Sequence, residues 1–139
     1  MGNVELGVLN EICSQLKHSN ELSDAQRIIL TRTFGNRFKN AEKALEEMAV
    51  KKYVFEPSSR IVWIVVGKGK DYQVLPNANF CSCDDFYFHV INKTATLCYH
   101  IIAQKLSDAL GRYELFTETD EMYEPLMEEW RFMKKPETV

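Results

Sequence analysis

Cys81-Ser82-Cys83 and Cys98-Tyr99-His100 are the residues of this chain best suited to chemistry. Fourteen residues separate the two groups, so three of the four cysteines and one of the three histidines fall within twenty positions. Three thiolates and one imidazole fill the tetrahedral shell of a zinc ion and leave no position for water or substrate. A closed site of this kind holds structure, whereas catalysis by zinc needs an open position. The chain therefore reads as a small metal-stapled module that works by binding, with Cys81, Cys83, Cys98 and His100 as the Zn²⁺ ligands.

The spacing constrains the elements that carry these ligands. In an extended strand residues i and i+2 share a face, so Cys81 and Cys83 can aim at one ion from a strand that bends. Cys98 and His100 cannot both sit within a helix, where i and i+2 face nearly opposite ways. The expected arrangement puts Cys98 just before a helix and His100 in its first turn. Ile101, Ile102, Leu106 and Leu110 give that helix its apolar side, and Gly111 suits its end. Three thiolates around Zn²⁺ leave one net negative charge. The helix N-terminus favours it by about 0.3–1 kcal/mol when exposed. A disulfide framework is not expected, because no apolar signal segment opens the sequence. Clustered cysteines in a reducing compartment point to metal.

The elements around the ligands follow from periodicity. Val4, Val8, Leu9, Ile12 and Leu16 recur at helical spacing, with Cys13 beside them as a packed side chain. A second helix is expected from Ser23 or Asp24, both good N-caps, with Ile28, Ile29 and Phe34 on its apolar side and Gly35 at its end. A third runs from Asn36 to Val50 through Ala41, Ala44, Leu45 and Met48. Tyr53-Val54-Phe55 then predicts a short strand, and Ile61 to Val66 a central strand buried on both faces. Asp71 to Leu75 and Phe80 to Cys83 complete an antiparallel meander that delivers two cysteines to the metal. Asp84 to Val90 is expected as a short helix and Asn92 to Thr96 as a loop, with His89 beside the metal rather than on it. Thr119 to Met133 predicts a helix that starts near Pro125 or kinks there. Met122, Tyr123, Leu126, Met127 and Trp130 share one of its faces, which either packs on the chain's own domain, the favoured reading, or contributes to docking a partner.

The fold class is thus α+β. N-terminal helices over 1–50 lead to a small antiparallel β-meander and zinc-bound finger over 51–111, then to a helical tail over 112–139, all within one domain. A chain of 139 residues that is 45% hydrophobic can build one ordinary core. It has no apolar run long enough for a transmembrane span.

The formal net charge of −3 argues against a free-standing nucleic-acid binder. Between Gln26 and Lys70, however, ten Lys or Arg stand against four acids, and between Glu114 and Val139 eight acids stand against three bases. This asymmetry suits two distinct binding surfaces. The Gly67-Lys68-Gly69-Lys70 turn lacks the spacing of a phosphate-binding P-loop. Lys68 and Lys70 are instead expected as phosphate contacts within a larger complex. No opposed carboxylates, Ser-His-Asp set or open metal position suggests catalysis, so the chain is read as a non-enzyme.

Phe80-Cys81-Ser82-Cys83-Asp84-Asp85-Phe86-Tyr87-Phe88 followed by Leu97-Cys98-Tyr99-His100-Ile101-Ile102-Ala103 resembles a SWIM-type zinc finger. The layout around the finger is similar to that of the small SWIM-only subunits of Shu complexes. It includes the helical N-terminal segment, Tyr72-Gln73-Val74-Leu75 before the finger and the helical tail after it. The resemblance implies zinc on Cys81, Cys83, Cys98 and His100. It also implies a nuclear, non-catalytic role in homologous recombination. There the chain would pair with a RecA-like recombinase paralog and promote or stabilise recombinase filaments, touching single-stranded DNA within the complex. Two other roles compete with it. One is a direct DNA-binding zinc module using the basic Arg27–Lys70 stretch; the other is an adaptor in ubiquitin signalling, where some SWIM proteins occur.

Overall fold

Three helices open the chain. In the computed structural model, which describes residues 2–16, 19–67, 69–83 and 97–132, they are α1 (Gly2–Gln15), α2 (Asp24–Phe34) and α3 (Asn36–Glu46). A reciprocal capping box starts α2: Gln26 N–H donates to Ser23 Oγ at 3.1 Å, and Ser23 N–H donates to Gln26 Oε1 at 2.9 Å. Gly35, at φ 60°, ends α2 and admits the sharp entry into α3.

The apolar faces differ from the expectation on all three helices. Leu30 and Phe34 bury the inner side of α2, whereas Ile28 and Ile29 are 52% and 45% exposed on its outer side. α3 stops at Glu46, four residues short of Val50, because Met48 turns into the left-handed region at φ 53°. Met48 is consequently exposed, and Val50 opens a strand. On α1, Leu9 and Ile12 are buried as expected, but Val4 faces solvent.

Five strands follow: β1 (Val50–Glu56), β2 (Arg60–Val66), β3 (Asp71–Leu75), β4 (Phe80–Cys81) and β5 (Glu114–Thr119). They form one sheet in the order β4-β3-β2-β1-β5. The first four make the expected antiparallel meander, with Trp63 opposite Lys52 and Val74, and Val74 opposite Cys81. β2 is central, and its unbroken apolar run has a direct cause. Trp63 and Val65 enter a core with the N-terminal helices, while Val62 and Ile64 enter a second core on the opposite face.

Among the described residues two further helices follow, α4 (Tyr99–Leu110) and α5 (Tyr123–Phe132). α4 runs through the larger core, burying Ile101, Ile102, Leu106 and Leu110 against α1, α3 and the sheet. Gly111 ends it at φ 71°, as its sequence position predicts. The stretch after Gly111 is not wholly helical. Glu114–Thr119 is β5, which pairs in parallel with β1 from Lys51 opposite Glu114 to Glu56 opposite Thr119. Pro125 lies in the first turn of α5, where its missing N–H removes no helix bond.

The helix α5 lies across the sheet face opposite α4. Met127 and Trp130 are buried with Phe55, Val62 and Ile64, and Tyr123 and Leu126 are half-buried beside them. Trp130 meets Tyr53 edge-on at 4.8 Å and Tyr123 meets Phe55 edge-on at 5.2 Å. The docking alternative is therefore corrected for Met127 and Trp130, which the chain's own sheet covers; Met122 alone of the five remains exposed. The same end of the sheet is tied down by Asp120, whose carboxylate accepts from Ser58 N–H at 3.0 Å and from the Ser58 hydroxyl at 2.6 Å.

Candidate metal centre

The two ligand pairs meet where the short edge strand β4 reaches the N-terminus of α4. The ligand atoms of Cys81, Cys83, Cys98 and His100 all lie within 4.8 Å of one another, and all four residues are buried. No disulfide forms among these cysteines. Metal–sulfur and metal–nitrogen bonds of about 2.3 and 2.0 Å place the ligand atoms of a tetrahedral site a little under 4 Å apart. The four donors need only close slightly to hold one ion.

Each donor is aimed by its local structure. Cys81 is held in the sheet opposite Val74. Ser82 then locks the link to Cys83: its N–H donates to Gln73 O at 3.0 Å, and its hydroxyl accepts from Gln73 N–H at 3.0 Å. The ladder thus continues one residue past Cys81 before the chain turns. Cys98 is the N-cap of α4, extended at φ −82° and ψ 168°, and its carbonyl accepts the helix bond from Ile102 at 3.2 Å. This places His100 in the first turn, as the spacing predicts. Arg37 of α3 fixes the approach. It donates to Leu97 O at 2.7 Å and forms an ion pair with Glu5 of α1.

The electrostatics favour a cation. The Cys81 thiol is pushed far above its ordinary value by hydrogen bonding with Cys83 and Cys98, then by burial and by repulsion from the other sulfurs. Cys98 is pushed up to about 12; the bond with Cys81 lowers it, but the bond with Cys83 and burial outweigh that. Three buried sulfurs this close cannot all ionise alone. A divalent cation reverses the balance by stabilising each thiolate directly. Both ring nitrogens of His100 are buried without a hydrogen-bond partner, which burial of a free imidazole would leave uncompensated. A metal bond answers for one of them. The residues present therefore fit a metal ion, and the positive end of α4 faces its net negative complex.

Tyr72 of β3 and Tyr99 flank the imidazole, with ring centroids 4.6 and 3.9 Å from that of His100. In the sequence Tyr72 and Ser82 are read as part of the family motif, but neither they nor Arg37 receives a role beside the ligands. The position of Ser82 between two ligands was its only signal; nothing local marks Arg37, which acts across sixty residues of sequence.

The remaining candidates are elsewhere. Lys68, His89, the expected helix over Asp84–Val90 and the loop over Asn92–Thr96 lie outside the described residues. Lys70 is half-buried in the turn between β2 and β3, where its carbonyl accepts from Gly67 N–H at 3.0 Å. Among the described residues, five basic side chains of this stretch have partners within the chain. Arg27 pairs with Glu42 at 2.5 Å, Lys43 with Glu47 at 3.9 Å, and Arg37 with Glu5. Lys51 and Lys52 leave opposite faces of β1, over Phe116 and Trp63.

This centre can be set beside known proteins. Zinc finger SWIM domain-containing protein 7 of Mus musculus is 30% identical over 130 residues, covering 91% of this chain and 85% of the mouse protein. The chain belongs to the zinc finger SWIM domain-containing protein 7 family. The human protein of that name is 27% identical over 115 residues, covering 81% of each chain. Its Dictyostelium discoideum homologue is 27% identical over 123 residues, covering 87% of this chain and 79% of its own. No protein-family profile matches the chain, and no solved structure matches it. The SWIM assignment and the buried Cys3His cluster thus agree on a metal-binding finger.

Proposed function

We propose that this chain is a non-catalytic accessory subunit of homologous recombination. In this reading it pairs in the nucleus with a RecA-like recombinase paralog and promotes or stabilises recombinase filaments on single-stranded DNA. The observation that carries the reading is the closed, buried Cys3His centre in a chain that aligns over most of its length with SWIM-domain relatives. Three soft thiolates and an imidazole in a tetrahedral set select zinc, so Zn²⁺ on Cys81, Cys83, Cys98 and His100 is part of the proposal.

Such a centre has no position for substrate, which supports a scaffold over an enzyme. It pins the start of α4, the helix at the middle of the larger core. Engagement of Arg27, Arg37, Lys43, Lys51 and Lys52 by acids and aromatic rings of the chain, with its net charge of −3, disfavours a free-standing DNA-binding module. In this reading Lys68 and Lys70 would contact DNA only within the complex. Among the described residues no helix is long and apolar enough to cross a membrane.

The experiment is affinity capture of the full chain from dividing cells, with and without the His100→Ala substitution, read by mass spectrometry. The expected result is recovery of a RecA-like ATPase paralog by the native chain only. Recovery of ubiquitin-ligase components without any such ATPase would overturn the reading in favour of an adaptor.

A further inference from the structure

The two edges of the sheet are unlike each other. β4 is two residues long and ends in the metal centre. β5 is six residues long and, among the described residues, pairs with β1 on one side only. Among the described residues no backbone hydrogen bond reaches its outer side. Alternate residues of a strand turn both N–H and C=O to the same edge, so this side presents a row of donors and acceptors. Protein edges are commonly blunted by charged side chains, above all Lys, by Pro or by a bulge. β5 has no Pro, and its register with β1 is unbroken; its charges are Glu114 and Glu118, which repel an acidic strand and admit a basic one.

The side chains state what would fit. Glu114, Phe116 and Glu118 point to the α5 side of the sheet, in register with Lys51, Tyr53 and Phe55. Leu115, on the other side, is 61% exposed. No acid from Glu114 to Glu129 forms an ion pair with a described Lys, Arg or His. Their field is felt locally. Burial first, then the charges of Asp71, Glu118, Glu129 and Glu114, hold the Tyr53 hydroxyl above its ordinary value. A second copy of the chain would set acid against acid here, whereas a basic strand would relieve the field.

We propose that the open edge of β5 receives an extended basic segment of a partner protein as a sixth strand, its Lys or Arg residues facing Glu114 and Glu118 and its alternate apolar residues beside Leu115. The inference rests on the reading of this chain as a protein-binding subunit and gives that reading a surface. Main-chain hydrogen bonds would supply affinity, and the alternation of charge and apolar contact would supply register.

The test uses the full zinc-loaded chain and a blocked eight-residue peptide alternating lysine and valine. Its controls are a glutamate-valine version and two N-methylated versions, one methylated at every lysine and the other at every valine. The expected result is saturable binding of the lysine peptide and none of the glutamate peptide. One N-methylated peptide should bind like its parent while the other loses affinity by about tenfold or more, because only alternate amides face β5. The Glu114→Lys, Glu118→Lys double variant should weaken binding by about tenfold with its melting curve retained. Equal binding of both N-methylated peptides would reduce the effect to charge alone and overturn the proposal. Self-association through β5 would overturn it too, as would binding that appears only after residues 133–139 are removed. Peptide results for wild-type protein decide the matter even where the double variant fails to fold. Failed peptide binding with the ATPase paralog still captured would sink this edge and leave the proposed function standing; the expected peptide pattern without paralog capture would do the reverse.

Discussion

Tyr72 lies against His100 with ring centroids 4.6 Å apart and planes inclined at 39°, and Gly67 makes that position possible. A Cβ added at Gly67 would stand 2.6 Å from Tyr72 Cε2 and 2.9 Å from the Lys70 carbonyl. The ring therefore fills the space between the turn and the imidazole. Gly67→Ala must move either the ring or the turn. The expected outcome is faster zinc release to a chromogenic chelator, with Tyr72→Phe releasing at the native rate and Tyr72→Ala at the faster one. Native release rates for both Gly67→Ala and Tyr72→Ala would show that the ring does not support the ligand.

Reduced protein should carry one zinc per chain by elemental analysis, and Cys83→Ser or His100→Ala should abolish stoichiometric binding. Structural zinc contributes on the order of 10–16 kcal/mol of apparent binding energy in isolated finger peptides. Here two apolar cores exist besides the metal. Metal-free protein is thus expected to melt at a lower temperature yet keep much of its far-ultraviolet dichroism.

Acid should strip the metal. Binding requires thiolates, and the metal-free sulfurs hold their protons strongly, with Cys98 raised to about 12 and Cys81 also raised. Each bound ion therefore displaces protons, and affinity falls as pH falls. A zinc titration in which affinity did not change between neutral and mildly acidic pH would contradict this coupling.

Cys13 predicts the opposite trend at alkaline pH. Its thiol, bonded to Lys105 O at 3.5 Å, is raised from 9.0 to about 11, chiefly by burial, with Lys105 lowering it and Asp108 raising it. The folded chain keeps this proton where the unfolded chain has lost it. The contribution is therefore full below pH 9 and declines between pH 9 and about 11. The slope from one such group is at most about 1.4 kcal/mol per pH unit. Cys13→Ala should flatten the urea-stability profile in that window relative to the native chain.

Trp130→Ala should cost about 3–5 kcal/mol of stability, as for other large-to-small changes in a core. The side chain is 5% exposed and packs on Tyr53 of β1. Zinc content should remain stoichiometric, because the metal centre joins the other core. Denaturant melts and elemental analysis on one preparation check both halves; unchanged stability would restore this face as a candidate for docking.

The metal centre was legible in the sequence because it depends on residue type and short spacing. The i, i+2 separation of Cys98 and His100 dictates a ligand at the helix cap and another in the first turn, and α4 has that form. The buried run of β2 was legible for a similar reason, since only a strand with a core on each face tolerates it. β5 was not. Two glutamates and two threonines around Leu115 and Phe116 form a weak strand signal, and pairing with β1, 63 positions away in sequence, supplies what local preference lacks. The tail showed the same limit in another way. Its periodicity identified the apolar face of α5 correctly, but periodicity cannot say whether that face meets a partner or the chain's own sheet. Ile28 and Ile29 reversed the error, being apolar residues that the fold leaves outside.

The parallel pairing of β5 with β1 also orders events in time. β1 is made early, yet its neighbour on that side lies beyond the metal ligands and all of α4. As the polypeptide is synthesised, His100 emerges before Glu114, so the four ligands are present while that flank of β1 is still bare. Zinc captured at this stage would hold α4 across the nascent sheet and shorten the search by which β5 finds its place. A cell short of zinc would therefore accumulate chains in which β1 is paired with β2 but bare on its β5 side, a form suited to aggregation or to removal by proteases.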